Sequence, residues 1–587
     1  MKYVFTPLSI LRGIMALLMC SALVVALSNP LGEAPDEPAH FDYARFVAVN
    51  HRLPLQCAAP CQSDVPGEGH QPPLAYVVYA GLTWPLIDSG EWVPQAINPH
   101  FIWQGGDQTQ ALVHGTREQW PWQGTFLAWR LMRLISVLLI LTGLYFVWRA
   151  GLAISTPTVA LLAVALLASS PQTSLIAGAV SNDALLFCLT AIITNSTLRA
   201  RTYRQVGILS IAIGAALITK QSAIVLVPLV FWPLWQHFTG RQRLWALLWA
   251  GVPMAMIAGW WYARNQLVYG DVFGLTLFRS IYQQAPLDFG QLSTWQQAFS
   301  QLMRAGWGMY GWMSLAAPDW WLQIGATITI SAVAGLLIHG GSRRPIATHW
   351  WLLGAIWLVA SIWLMSFAYT VGPVAWQMRL VIIALPAGGL LLAKGLVTGI
   401  GINPQPFQTG LAVLIALCCH LGIWWSHVLP QYKAHMPAAA LTAQPLTTTT
   451  EAVFVGPTAG GGISLLDYTL TGQLAAGQAL DLQLRWLTQT RPSNNWQVFV
   501  WVIDAEKKPL LQLLQPLDPE LPTSAWSPGD RVYSFHHFTI PATLPAGQYV
   551  LQIGLFDQAA NLRAHKRNYA EKLTGDSIRI PFVIPTP

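Results

Sequence analysis

The sequence predicts a polytopic α-helical membrane protein with an all-β sandwich domain at its C-terminal end. Three observations carry that expectation. Only 10% of the 587 residues are charged, against about 25% in a typical soluble chain. Apolar runs long enough to span a hydrocarbon core recur from the N-terminus to about residue 429. Beyond about residue 450 those runs stop, and apolar and polar residues alternate in short segments.

The first span is expected at about 8–28, "LSILRGIMALLMCSALVVALS". A signal peptide has a similar apolar stretch, but many further spans follow, so this one reads as the first anchor. A polar stretch, 29–127, forms a first outer loop. Inside it "PPLAYVVYAGLTWPLI" (72–87) is apolar but short and bounded by prolines, which suits a helix lying in the interface or re-entering. Ten further spans are expected at about 128–148, 156–175, 182–198, 206–219, 221–237, 244–263, 322–340, 347–369, 379–397 and 408–429, making about eleven in all. Residues 264–321, rich in aromatics and glutamine, form a second outer loop. The membrane domain is thus 1–429, a linker runs over 430–450, and the sandwich occupies 451–587. Its strands are expected at "ALDLQLRWL" (479–487), "WQVFVWVID" (496–504), "RVYSFHHFTI" (531–540) and "GQYVLQIGLFD" (547–557), separated by turns such as "SPGD" and "LPAGQ". No internal repeat suggests the two halves of a transporter.

Lys and Arg set the orientation. With the N-terminus in the cytoplasm, the inner ends of the spans carry Lys2, Arg12, Arg149, Arg199, Arg201, Arg204, Arg241, Arg243, Arg343, Arg344 and Lys394, with no acidic residue among them. The two large loops and the C-terminal domain then lie outside, at the plasma membrane. The net charge of +7 is a topology signal, so a nucleic-acid partner is not expected. Of the 6 cysteines, Cys57 and Cys61 lie in a polar loop. Outside the cytoplasm they suit either a local disulfide or two free thiols, with a metal site including His51 or His70 the less favoured reading.

Chemistry concentrates where spans leave the membrane on the outer side. "GEAPDEPAHFDYARF" (32–46) sets Asp36 and Glu37 between two prolines, with His40 a turn later. One carboxylate would suffice to cap a helix over 39–50. Two allow one to act as general base while the other orients it. "GEGHQPPLAY" (67–76) adds His70 and Gln71, or else is a polar turn before a Pro-Pro break. "AVSNDALLF" (179–187) places Asp183 at the outer end of a span, where capping is the simpler role. "LITKQSAI" (217–224) puts Lys220 in an outer turn, as a snorkelling lysine or a phosphate ligand. "GWWYARNQLVYGDVFG" (259–274) and "VAWQMRLVIIALP" (374–386) add Arg264, Asn265, Gln377 and Arg379 at outer ends. Three cations on the side the charge bias disfavours would hold an anionic lipid-linked phosphate, while the acid pair deprotonates a neutral acceptor hydroxyl.

In their order and topological placement, "PDEPAHFDYARF", "HQPPLAYVVYA", "SNDALLF", "LITKQSAI", "WWYARNQLVYGD" and "QMRLVIIALP" resemble the GT-C membrane glycosyltransferases. The likeness is greatest to the protein O-mannosyltransferase and aminoarabinose-transferase branch and covers about residues 8–400. The C-terminal segment resembles β-sandwich domains attached to some bacterial members. This resemblance implies a polyprenyl-phosphate-sugar donor, a protein, lipid or glycan acceptor, and inverting transfer with Asp36 as base and Glu37 as its partner. It also implies donor-phosphate roles for Lys220, Arg264 and Arg379, and no cofactor, with a divalent metal not excluded. Residues 88–126, with "GGDQTQ" and "WPWQG", depart from the family pattern on the acceptor side.

Two other readings compete. A transporter or lipid-linked-sugar flippase would place ionisable groups deep within spans, whereas here most sit at span ends. A non-catalytic assembly or binding protein would leave Asp36 and Glu37 as surface groups and use the sandwich for recognition. Trp486, Trp501 and Trp526 would then be exposed for glycan, rather than filling a core.

Overall fold

The computed structural model describes residues 6–585 except 58–60, 89–93, 99–100, 102–109, 116–117, 119, 285, 342–346, 433–447, 457–461, 520 and 568–574. Lys2, Arg343, Arg344, most of "GGDQTQ" and most of the expected linker lie outside the described residues. The chain divides into two compact units, one within Met1–Ser89 and Gln123–Tyr432, the other within Gly90–Ile102, Gly106–Trp122 and Lys433–Pro587.

The first unit is helical. Helix α1 (Pro7–Ser28) starts where the Thr6 hydroxyl accepts from the Ser9 amide at 3.2 Å and Pro7 takes the first turn. There follow α2 (Glu37–Asn50), α3 (Leu74–Thr83), α4 (Gly124–Ile154), α5 (Pro157–Ser169), α6 (Pro171–Ala177), α7 (Asp183–Arg199), α8 (Tyr203–Leu217) and α9 (Phe231–His237). The long α10 (Arg241–Tyr269) leads into α11 (Leu275–Tyr282), α12 (Leu292–Gly308) and a hairpin of β1 (Met309–Tyr310) and β2 (Leu315–Ala316). Helices α13 (Asp319–Gly341), α14 (Thr348–Val371), α15 (Leu385–Thr398) and α16 (Pro406–Ile423) complete the unit.

Among the described residues 7 helices are long and apolar enough to cross a membrane, or 8 if α5 and α6, bent by 69° at Ser170, form one broken span. The chain is therefore a multi-pass membrane protein. The expected count of about eleven is not confirmed, and helix length is where the two differ. The runs at 182–198 and 206–219 form α7 and α8, of 17 and 15 residues. At 1.5 Å per residue these reach about 26 and 22 Å, short of the roughly 30 Å core. The run at 221–237 breaks into a 3-10 stretch, Gln221–Val230, containing Pro228, followed by the short α9. The expected interfacial segment forms α3, of 10 residues, and a 3-10 turn at Trp84–Leu86. Helices α13 and α15 approach through Gly335, Gly395 and Gly399, where a Cβ would collide with the facing backbone.

The second unit is β-rich. One sheet has the order β11 (His565–Arg567), β3 (Thr448–Val455), β4 (Gly462–Thr471), β5 (Ala479–Thr488), β8 (Arg531–Thr539). The other runs β10 (Leu562–Arg563), β9 (Gly547–Asp557), β6 (Gln497–Ile503), β7 (Pro509–Pro516), with β12 (Ser577–Ile584) also on β9. All pairings are antiparallel. The alternation read from sequence is visible in β5, where Leu480, Leu482, Leu484 and Trp486 are each 0% exposed. They share one core with Val498, Val500 and Leu551 of the other sheet. Trp486 and Trp526 fill that core, while Trp501 lies beneath the Arg563 guanidinium at 4.4 Å. Ala96 and Val113, from the stretch that departs from the family pattern, also join it, and Ile97 bridges Leu112.

Candidate functional site

Asp36 and Glu37 are adjacent in sequence and lead in different directions. Glu37, 0% exposed, accepts five hydrogen bonds. Arg133 of α4 supplies Nε and Nη2 at 2.7 Å each, Trp129 its indole N–H at 3.1 Å, and the Val180 and Gly32 amides approach at 3.0 and 3.1 Å. Arg133, equally buried, also donates to the Ala26, Asn29 and Pro30 carbonyls, and Arg130 donates to Ala26 and Asn29. The two arginines thus satisfy carbonyls left free at the end of α1. Burial works to raise the Glu37 pKa, but Arg133 and the amide donors outweigh it and hold the carboxyl below its usual range. Its lone pairs are taken, so Glu37 is an anchor that holds the 29–37 turn against α4.

That turn presents Asp36. Its φ of 62° lies in the left-handed region, which Asp tolerates better than most residues. The side chain caps nothing. The helix begins at Glu37, not 39, and the carboxylate reaches across to Arg379, with Oδ2 2.5 Å from Nη2. Arg379 is steered from two further sides: Nε donates to Gln377 Oε1 at 2.8 Å and Nη1 to the Pro35 carbonyl at 3.3 Å. Its Nη1 lies 3.9 Å from Asp183 Oδ2, and Asp183 Oδ1 takes Lys220 Nζ at 2.5 Å. Four charges therefore alternate in sign along one row: Asp36, Arg379, Asp183, Lys220. Asp183 is 1% exposed, Arg379 11% and Lys220 14%, whereas the Asp36 side chain keeps 42% of its surface open. Partial burial pushes the Asp36 pKa up, and the Arg379 guanidinium, helped by His40 and Lys220, brings it below the ordinary value.

The two middle members of the row, Arg379 and Asp183, line a cleft of about 600 Å³, open solvent included, together with Glu33, Pro35, Ser181, Gln377 and Tyr432. Behind Asp36, His40 is 3% exposed and its Nδ1 meets the Tyr76 hydroxyl at 2.8 Å, a hydroxyl that also accepts from Asn182 at 3.3 Å. Burial lowers the His40 pKa to about 4. Burial raises that of Glu68 to about 8, with Asp36 adding to the shift. The 3.8 Å approach of Glu68 Oε2 to His40 Nδ1 is thus a contact between two neutral groups at pH 7.

The structure brings Asp36, Asp183, Lys220, Gln377 and Arg379 together, with His40 one layer back. Other expected residues make their contacts elsewhere. His70 Nδ1 and its backbone N–H both meet Gln56 Oε1 at 2.9 Å, and burial lowers the imidazole pKa to about 4. The Gln71 carbonyl accepts from Tyr43 at 3.2 Å. Arg264 donates to the Pro54 carbonyl at 2.9 Å and packs on Trp261, and Asn265 donates to the Val272 carbonyl at 3.3 Å. Cys57 and Cys61 form a disulfide. Among the described residues no group of three or more His, Cys, Asp or Glu is arranged to hold a metal ion.

Sequence reasoning overlooked Glu68, Trp129 and Arg133. Arg133 had a legible signal, a cation inside the apolar run "LMRLISVLL", which needs a buried partner. Glu68 stood within a quoted motif and was passed over for its neighbours.

No family model matches the sequence, and no curated protein matches it. Solved structures do. ArnT from Cupriavidus metallidurans bound to undecaprenyl phosphate is similar at 16% identity and a TM-score of 0.39, over 71% of this chain and 73% of that one. The Archaeoglobus fulgidus oligosaccharyltransferase is similar at 11% identity and a TM-score of 0.37, over 71% and 55% of the two chains. The S. cerevisiae protein O-mannosyltransferase Pmt1-Pmt2 complex bound to the sugar donor is similar at 16% identity and a TM-score of 0.30, over 51% and 36%.

Proposed function

We propose that this protein is an inverting glycosyltransferase that moves a sugar from a polyprenyl-phosphate donor to an acceptor outside the cytoplasm. The observation that carries the reading is the row Asp36–Arg379–Asp183–Lys220 in the helical unit, whose Arg379 and Asp183 line a cleft. A partly open carboxylate stands next to two cations held in place by a buried acid. That is the pairing needed to activate a hydroxyl and to receive a departing phosphate. The motif order that resembles GT-C enzymes supports the same conclusion. In this reading the N-terminus is cytoplasmic and the row faces the outer leaflet of the plasma membrane.

Asp36 takes the proton from the acceptor hydroxyl as the acceptor oxygen forms a bond to the anomeric carbon on the face opposite the leaving group. The bond from that carbon to the phosphate oxygen breaks, and its electron pair stays on the phosphate, opposite Arg379 and Lys220. Arg379 keeps Asp36 ionised but weakens it as a base. A donor phosphate that draws the guanidinium toward itself would restore that basicity when the substrate is present. Glu37 acts through the turn it anchors, Gln377 through Arg379, and His40 through Tyr76, so these are positioning residues. His70, Gln71, Arg264 and Asn265 shape the surrounding loops. The steps call on no nucleotide.

The test is transfer of radiolabel from polyprenyl-phosphate sugars to membrane-extract acceptors by the purified protein. Transfer by the wild type that Asp36→Asn abolishes is expected, and equal transfer by the two forms would remove Asp36 from the chemistry.

A further inference from the structure

In the row, two acids and two cations account for one another: Asp36 with Arg379, and Asp183 with Lys220. A third acid, Glu68, is left over. It sits in the turn that leads into α3, where the Gln71 amide donates to the Glu68 carbonyl at 2.9 Å. Its Oε2 is closed off from solvent and has no hydrogen-bond partner among the described residues. The approach of His40 Nδ1 at 3.8 Å is too long for a hydrogen bond, and that nitrogen is already engaged by Tyr76. The Glu68 side chain as a whole keeps 14% of its surface open. An ionised carboxylate with one oxygen buried and unpaired is costly, whereas a carboxylic acid is far less so.

The charged groups that face Glu68 act in both directions, and burial decides the outcome. Burial is the largest influence and pushes its pKa to about 8. Asp36 and Asp183 add to the rise, and Lys220 and Arg379 oppose it. His40, with its pKa lowered to about 4, brings no charge at neutral pH. The hydroxyls of Tyr43, Tyr76 and Tyr282, which also feel Glu68, are neutral there. With Glu68 protonated the row is balanced and one added anion is tolerated. With Glu68 ionised, the same anion would enter a site already carrying an unpaired negative charge.

We propose that Glu68 is a further donor-binding residue, a carboxyl that keeps its proton while the donor phosphate occupies the row and whose ionisation weakens that binding. This rests on the functional reading above and names what regulates that site. A bound phosphate raises the affinity of Glu68 for its proton, so by linkage the protonated site binds phosphate more tightly.

The experiment measures binding of a long-chain polyprenyl monophosphate to the purified full-length protein in detergent, from pH 7.5 to 9.5. Inorganic phosphate, run as competitor, separates headgroup recognition from that of the lipid chain. In wild type the dissociation constant is expected to rise about tenfold over this range, because one proton is lost from the free site. In Glu68→Gln, which keeps the shape of the acid and cannot ionise, the ratio of the two constants is expected to stay near one. An equal rise in both forms, or no rise in wild type, overturns the inference. A difference infrared spectrum at pH 7 reads the proton without any ligand: a protonated-carboxyl band is expected that Glu68→Gln lacks. If no polyprenyl phosphate binds at any pH, the functional reading fails and the donor linkage fails with it, whether or not the band is present. If phosphate binds and the band is missing, the inference on Glu68 fails alone.

Discussion

Arg379 Nη2 stands 2.5 Å from Asp36 Oδ2, joining residues 343 positions apart. Asp36 adopts a left-handed backbone with φ 62° at the start of α2, and the Glu37–Arg133 pair next to it fixes the turn. A residue in αL is found where surrounding structure over-determines it, and five hydrogen bonds on the next side chain supply that determination.

Asp36→Asn is expected to cut sugar transfer by about a hundredfold or more, the range for loss of a general base. Its side chain is 42% exposed, so the melting temperature should hardly change. Transfer within twofold of wild type would contradict the assignment.

Glu37→Gln should behave in the opposite way. It leaves the Arg133 guanidinium, 0% exposed, without its counter-charge. Breaking such a pair costs about 3–5 kcal/mol. The expected readout is a lower melting temperature and a poorer yield of folded protein in detergent. A Glu37→Gln protein as stable as wild type, yet as inactive as Asp36→Asn, would instead give Glu37 a direct part in the chemistry.

His40 sets a pH expectation. Burial lowers its pKa to about 4, so the imidazole stays neutral from pH 5 to 8 and gains charge only as pH falls toward 4. The maximal transfer rate should therefore show no acidic limb near 6.5, the ordinary histidine value. Profiles of wild type and His40→Asn decide it: a limb near 6.5 that the variant abolishes would mean that His40 titrates during the reaction.

Lys220→Ala should raise the KM for the donor about tenfold or more, because the cation beside Asp183 and one link of the row are lost. Arg264→Ala should have a smaller effect, since Arg264 is spent on the Pro54 carbonyl and the Trp261 ring. Donor titrations of both variants compare them directly, and the reverse ranking would move the phosphate toward Arg264.

Much of the site could be read from residue type and topological position. Asp183, Lys220, Gln377 and Arg379 were recognisable because each is polar at the edge of an apolar run, and such groups need a reason to be there. The division between Asp36 and Glu37 was not recognisable. Neighbouring carboxylates look alike in sequence, and which one is buried depends on Arg133 and Trp129, more than ninety residues away. Arg264 shares with Arg379 its residue type and its place at the edge of an apolar run, and only contacts tell them apart.

By itself the sequence determined the helical membrane character and the change to alternating strands after about residue 450, because hydropathy and period are local properties of the chain. Tertiary structure alone decided which helices are long enough to cross, since helix ends depend on packing and on breaks such as Pro228. It also decided that Ala96 and Val113 are buried with the core of the C-terminal sheets, and that one oxygen of Glu68 is buried without a hydrogen-bond partner among the described residues. Those outcomes depend on contacts between distant segments, which local composition does not encode.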